Sequence, residues 1–201
     1  MRAEKLKLWP DAAPHSLRLP LGPGCLMAQP DAAENLSALW ARAEAGDADA
    51  VIARTLTGSL TCENIWCDLS AGARALEAGS LASDGQRVRL QLTIHRATPA
   101  LLALAAPGTG VTASAQETVW TAGMPTPGPA ALPALLWMGR TPFGLAAVRF
   151  AHALCEDGLR LDFGAGAKGI PCVFTAMTTV PEEPTEEPER PWQVTWLEVN
   201  P

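Results

Sequence analysis

Residues 86–95 (QRVRLQLTIH) alternate between polar and apolar side chains without a break. A period of two is typical of a strand with one buried face and one solvated face. We therefore predict a strand at this segment. Its apolar face would carry Val88, Leu90, Leu92 and Ile94, and its polar face Arg87, Arg89, Gln91 and Thr93.

Most of the chain after residue 50 has the composition of strands and turns. Runs rich in Val, Ile, Thr and Leu predict further strands at 51–56, 59–69, 116–121, 159–163, 170–177 and 192–199, with a turn-rich segment at 74–85. Residues 142–155 fit both helical and strand spacing, and we favour a strand because Glu156, Asp157 and Gly158 form a turn after it. The predicted fold class is mainly β: a β-sandwich or barrel with a flanking short helix, an N-terminal helix and long loops.

Capping signals predict the two helices. The first spans residues 31–46, with Asp31 as N-cap and Gly46 as the stop. The second spans residues 100–106, with Thr98 as N-cap and a proline at the first helical position.

The chain is expected to divide into two parts. Residues 1–49 would form an N-terminal arm and helix, with a short edge strand at 16–21, and residues 50–201 the β domain. The Pro- and Gly-rich tract at 108–133 is expected to leave the compact domain and return, because long irregular loops are usually functional or disordered. The acidic, proline-punctuated segment 180–191 predicts an extended, solvated loop.

Charge and composition argue against several classes of partner. The net charge of −6 disfavours a surface that binds DNA phosphates or anionic lipid. No apolar run follows Arg2, Lys5 and Lys7, so we predict neither a signal peptide nor a membrane anchor, and synthesis in a cytoplasm. Only 5% of residues are aromatic, and we therefore expect neighbouring subunits to supply part of the stability.

Five cysteines are an odd number with no spacing typical of a zinc knuckle or redox pair. We interpret them as reduced thiols that pack in or near the core, with a disulfide as the lesser alternative. They are Cys25, Cys62, Cys67, Cys155 and Cys172.

The strongest motif match is the Gly-x-Gly-x-x-Gly at residues 164–169. A dinucleotide site needs a helix after the last glycine, whereas Ile170 and Pro171 begin a strand-like run. We interpret the motif as a hairpin loop and predict no cofactor.

No other constellation predicts a catalytic or metal site. The histidines His15, His95 and His152 lie in different elements, and Ser59, Ser70, Ser80 and Ser83 lack a nucleophile-elbow context. The glutamates Glu182, Glu183, Glu186, Glu187 and Glu189 are spaced by prolines, which favours a solvated loop over a cation site, with docking to a basic partner as the alternative. The sequon at Asn35 has no meaning without secretion. We predict that the protein is not an enzyme.

Tryptophan is common and tyrosine absent. Most tryptophans lie on the predicted apolar faces of strands or helices. We therefore expect them to anchor the core or a subunit interface rather than to form a carbohydrate or peptide site. These residues are Trp40, Trp66, Trp120, Trp137, Trp192 and Trp196.

Two stretches carry a family resemblance. Residues 54–107 run as a strand pair, a turn-rich segment, an alternating strand and a short helix after Ala97-Thr-Pro-Ala100. Residues 147–177 (AVRFAHALCEDGLRLDFGAGAKGIPCVFTAM) form a hairpin pattern that ends in Ile170-Pro-Cys-Val-Phe-Thr-Ala176. Both resemble the tail tube, or major tail, proteins of long-tailed phages, over roughly half the chain. The N-terminal helix and the tract at 108–133 have no place in the minimal family pattern.

The resemblance implies a virion structural protein made in a bacterial host. Hexameric rings would stack into a tube around a tape-measure protein, would contact tail terminator and tail tip proteins, and would let DNA pass during genome ejection without specific binding. Two alternatives remain open: another ring component, such as a tail terminator or distal tail protein, or a β-sandwich binding module unrelated to phages.

Overall fold

The computed structural model describes residues 16–28, 35–46, 51–68, 81–106, 110–114, 117–121, 132–156, 158, 169–178 and 190–197. Within these ranges the chain is mainly β, which confirms the predicted fold class. The elements in chain order are β1 (Ser16–Leu21), β2 (Gly24–Ala28), α1 (Leu36–Glu44), β3 (Ala53–Asp68), β4 (Leu81–Ala97), α2 (Pro99–Ala105), β5 (Gly110–Ala113), β6 (Thr118–Thr121), β7 (Leu135–Thr141), β8 (Gly144–Phe150), β9 (His152–Cys155), β10 (Ile170–Met177) and β11 (Trp192–Leu197).

The main sheet curls back on itself. Its strand order is β11-β8-β7-β2-β3-β4-β10-β9, and all the pairings are antiparallel. Strands β8 and β9 lie near opposite ends of that order, yet Ala151 alone separates them in the chain. One bent strand therefore pairs with β7 through its first half and with β10 through its second. This continuity closes the sheet into a barrel, with β11 added outside β8.

Strands β1 and β2 are two halves of one interrupted strand beside β3. Leu21 pairs with Gly58 and Gly24 with Thr55, so both halves keep the same register. Gly22 and Pro23 interrupt this strand between β1 and β2. At the interruption Gly22 N donates to the Arg140 carbonyl at 2.7 Å. Residues 16–28 of the predicted arm are thus paired within the main sheet, and only β1 corresponds to the predicted edge strand.

The interior of the barrel is filled by the inward residues of the strands and by α2. Strand β4 confirms the predicted alternation, because its four apolar residues at 88, 90, 92 and 94 are buried while Arg87 and Gln91 are exposed. Trp137 is fully buried in this interior, and its Nε1 donates to Thr55 Oγ1 at 3.1 Å. Helix α2 contributes Leu101 and Ala105.

A second apolar cluster lies outside the barrel, beneath α1. Strands β2, β7 and β8 bury outward-facing residues there, and α1 covers them with Leu39 and Ala43. The strand residues are Cys25, Met27, Leu136, Met138 and Ala147. Because β2 and β7 are buried on both faces, they are the central strands of the fold.

The boundaries of α1 differ from the prediction. The N-cap is Asn35, whose side chain accepts a hydrogen bond from Ser37 N at 2.8 Å, rather than Asp31, which lies outside the described residues. The predicted stop at Gly46 is confirmed by its φ of +81°, a conformation that glycine adopts without strain. At this end the Arg54 guanidinium donates to the Ala43 carbonyl.

Replacing Arg54 should loosen α1 on the barrel. Arg54→Met removes the charge that satisfies a carboxyl-terminal carbonyl of the helix, and we expect a loss of about 1–2 kcal/mol in the free energy of unfolding. Because Cys25 lies beneath α1, its labelling by a thiol reagent should accelerate. Arg96→Met is the matched control, since Arg96 is the register partner of Arg54 and is exposed. Equal labelling rates in the two variants would rule out this role.

Several strand predictions changed in detail. The strands predicted at 51–56 and 59–69 are one strand, β3, with register shifts between Arg54 and Thr57. Strand β4 begins at Leu81, inside the segment predicted as turn-rich. Strands β8 to β11 confirm the predicted strands of the last third, and α2 keeps Thr98 as N-cap, although Thr98 Oγ1 donates to the Ile52 carbonyl instead of capping the helix. The segments 159–163, 164–168 and 180–189 lie outside the described residues.

Candidate assembly surfaces

The glycine motif does not lead into a phosphate-binding helix. Of its three glycines the structure describes Gly169, which has a φ of +137° and lies directly before β10. The last glycine therefore enters a strand, as the sequence indicated. Backbone N–H groups at a helix N-terminus, which hold pyrophosphate in dinucleotide folds, do not follow Gly169.

The described histidines and serines do not form a catalytic arrangement. His95 is exposed at the end of β4, and His152 Nδ1 lies 3.1 Å from the Leu132 carbonyl. Ser59 is buried, and its hydroxyl lies 3.4 Å from Gln91 Oε1. His15, Ser70 and Ser80 lie outside the described residues, as does the side chain of Ser83. Within the described part of the chain, no group of three or more His, Cys, Asp or Glu residues could hold a metal ion.

Four buried cysteines carry reduced thiols: Cys25, Cys62, Cys155 and Cys172. Burial raises the pKa of the Cys25 thiol to about 11, despite the opposing effect of Arg54. Burial, reinforced by Cys155, raises the pKa of Cys172 to about 12. Cys25 and Cys172 are therefore neutral thiols near pH 7. Because the thiolate is the nucleophilic form of cysteine, their raised pKa values make them unreactive there. The side chain of Cys67 is outside the description.

The buried Cys172 thiol should make stability fall in alkaline solution. Its pKa is about 9 when unfolded and about 12 when folded, so between these values the unfolded state binds fewer protons. The free energy of unfolding then falls with rising pH, at about 1.4 kcal/mol per pH unit for one thiol, and is unaffected below pH 9. Urea unfolding of the wild type and of Cys172→Ala from pH 8 to 11 measures this. The alanine variant should show the shallower slope, and parallel curves would contradict the assignment.

The far end of the β3–β4 hairpin projects beyond the barrel. Among described residues, β1 flanks β3 no further than Glu63, and the paired register of β10 along β4 ends at Arg89. Beyond these points residues 64–68 pair only with residues 81–86. Ile65 in this projection is 38% exposed. Two-stranded ribbons are marginally stable alone, so this projection would be stabilised by a neighbour.

A second hairpin, β5–β6, forms its own two-stranded sheet and pairs with no strand of the barrel. It lies within the tract at 108–133, where we predicted a single strand. Reciprocal hydrogen bonds between Ser114 and Glu117 close its turn, at 2.7 Å from Ser114 N to the Glu117 carbonyl and 3.0 Å from Glu117 N to Ser114 Oγ. Val119 is 43% exposed. Among described elements, the hairpin lies beside α2.

An exposed aromatic pair lies where the β7–β8 turn meets β11. Phe143 and Trp196 pack edge to face, with ring centroids 6.1 Å apart, and are 44% and 46% exposed. Trp196 is therefore a surface residue, unlike Trp137, and unlike Trp40 and Trp192, which are half-buried against the two clusters. The side chains of Trp66 and Trp120 are not described.

One charged pair on the outer face of the barrel is long and partly exposed. Arg89 Nη2 lies 3.4 Å from Glu156 Oε2, and each side chain is about one-third exposed, at 34% and 35%. Exposed pairs of this kind contribute little to stability. No helix among the described residues has the length and hydropathy needed to cross a membrane.

Neither comparison with known proteins assigns a family. No family model matches the chain, and a search of curated proteins finds no significant match.

Proposed function

We propose that the chain is a structural subunit of a phage-like tail tube, in which hexameric rings stack into a conduit for DNA. The observation that carries the proposal is the pair of two-stranded hairpins, at 64–68 with 81–86 and at 110–121, that no further described strand flanks. Each exposes a large apolar side chain, Ile65 or Val119. A two-stranded ribbon is marginally stable by itself, so packing against a neighbouring subunit would stabilise it on assembly.

The sequence pattern supports the same proposal. Strand β10 falls on residues 170–177, the segment that carries the resemblance to tail tube proteins, and β9 precedes it as the partner strand. Ring contacts and open stacking both join unlike surfaces of identical subunits, which is how one chain builds a polymer. A net charge of −6 suits a lumen through which DNA slides without being held.

Further parts of the proposal follow from that role. The chain would be made in the bacterial host cytoplasm, would be found in the virion tail and would meet tape-measure, terminator and tip proteins. It would perform no catalysis and need no cofactor. A terminator or distal tail ring is the second candidate, because the helix α1 and the tract at 108–133 have no counterpart in the minimal pattern.

Hydrogen exchange on residues 110–121 tests the proposal. In the dispersed subunit these amides should exchange fast, because four-residue strands in an isolated ribbon open readily. In assembled particles they should be protected by at least about tenfold. Amides of β4 in the barrel are the internal reference and should change little. Equal exchange of 110–121 in both forms would remove the hairpin from the assembly contact.

A further inference from the structure

The barrel leaves few strand edges able to accept another strand. Among the described strands, β1 pairs with β3 alone, but it contains Pro20, and the part of β10 beyond β9 contains Pro171. Proline lacks the N–H that a ladder needs and is tolerated where a strand faces no partner. The Ala153 amide of β9 is already used, because it donates to the Pro133 carbonyl at 3.0 Å.

Strand β11 differs from these edges. It pairs with β8 on one side, and no described strand pairs with its other side. Its sequence, WQVTWL, contains no proline and no charge. Uncharged, β-prone edges without proline pair readily with another strand.

The hydrogen-bonding direction of β11 follows from its junction with the barrel. Ala151 N donates to the Pro191 carbonyl at 3.0 Å, so residue 191 faces the barrel strand. Bonding direction alternates along an antiparallel strand, and Gln193 and Thr195 therefore also face β8. Trp192, Val194 and Trp196 then direct their N–H and C=O groups to the open edge.

These outward residues are self-complementary about Val194. An antiparallel copy centred there places Val194 opposite itself, Trp192 opposite Trp196, and Gln193 opposite Thr195. All three outward residues then fall in hydrogen-bonded positions, and about six backbone hydrogen bonds form. Each half-exposed Trp196 gains an aromatic cross-strand neighbour, a favourable pairing in sheets.

We propose that two copies of the chain pair through the open edges of β11, as a two-fold antiparallel contact centred on Val194. The partner is a second copy because the order Trp-Gln-Val-Thr-Trp matches its own reverse in side-chain class and bonding direction. A two-fold contact closes on itself. It is therefore separate from ring and stacking contacts, and it does not depend on the proposed tail tube function.

Cysteine substitution tests the register. In a Cys67→Ser background, Val194→Cys should give a disulfide-linked dimer on mild oxidation, because directly opposed residues lie within disulfide range. Gln193→Cys alone should link at least about tenfold less, since copies of residue 193 are offset diagonally beyond that range. The double variant Gln193→Cys/Thr195→Cys should link again. Preferential linking at 193 alone, or none at 194, would overturn the proposal.

A proline substitution tests the contact itself. Val194→Pro removes an N–H that points away from β8, so the ladder inside the subunit keeps its bonds, whereas Val194→Thr keeps the N–H as a control. Sedimentation at concentrations below those at which rings form should give the wild type and Val194→Thr a dimer, at twice the 21.1 kDa chain mass, and Val194→Pro a monomer. A wild type that stays monomeric, or a proline variant that still dimerises, contradicts the contact. If Val194→Pro fails to fold by circular dichroism, the cysteine series decides.

Discussion

Gly139→Ala should destabilise the barrel by about 3 kcal/mol, one of the largest losses available from adding a single methyl group. A Cβ at this position would lie 2.6 Å from the Gly24 Cα, the Pro23 carbonyl oxygen and Trp137 Cζ2. Two of these atoms belong to the backbone of the paired strand, so the atoms cannot move aside unless the ladder opens. The loss is a large fraction of the 5–15 kcal/mol that typically holds a domain together.

Urea unfolding of Gly139→Ala measures the loss. The matched control is Gly46→Ala, because nothing lies within 4 Å of a Cβ there and the only strain comes from its φ of +81°. That conformational strain costs a residue with a Cβ about 1 kcal/mol. If the two variants lost equal stability, steric contact between β2 and β7 would not be the cause.

Deleting the β5–β6 hairpin should leave the subunit folded and abolish tube formation. Residues 110–121 pair only with one another among the described strands, so their replacement by a short Gly-Ser linker removes no ladder of the barrel. The deletion removes the exposed Val119 and both strand edges from the proposed stacking contact. The unfolding midpoint should therefore stay within a few degrees of the wild type.

Two point variants distinguish the contribution of the Val119 side chain from that of the hairpin backbone. Val119→Asp places a charge on the exposed surface of the hairpin and should reduce assembly strongly, because charges are depleted from interface cores. Glu117→Gln at the turn is the control, since the bonds to Ser114 use the Glu117 backbone. Normal tubes from the deletion variant would exclude this hairpin as the stacking element.

The strands with one buried and one solvated face could be predicted from sequence because their pattern is local. The alternation around Leu90 reflects one buried and one solvated face, and the run from Ile170 to Met177 is bounded by a glycine turn and polar residues. In such segments the order of polar and apolar side chains indicates which face of the strand is buried.

The central strands could not be predicted from sequence, because burial on both faces removes the alternation of polar and apolar residues. Strand β2, GCLMA, and strand β7, LLWMGRT, read only as short apolar runs. The N-cap of α1 presented a similar difficulty, since Asp31 and Asn35 both suit that position. Leu39 and Ala43 of α1 pack over the barrel, and the helix begins at Leu36. This packing is a tertiary contact, so the local sequence does not show it.

The candidate surfaces depended even more on tertiary structure. The open edge of β11 follows from its position outside β8. The projection of residues 64–68 follows from the residues at which β1 and β10 stop flanking the β3–β4 hairpin. Strand order and register decide both, and neither is written in a local pattern.

Electron microscopy of the purified chain shows whether it assembles. We expect rings with a central channel that stack into tubes as protein concentration rises. Protein that stays monomeric or dimeric under every condition, alone and with tape-measure and terminator proteins, would contradict the proposed assembly.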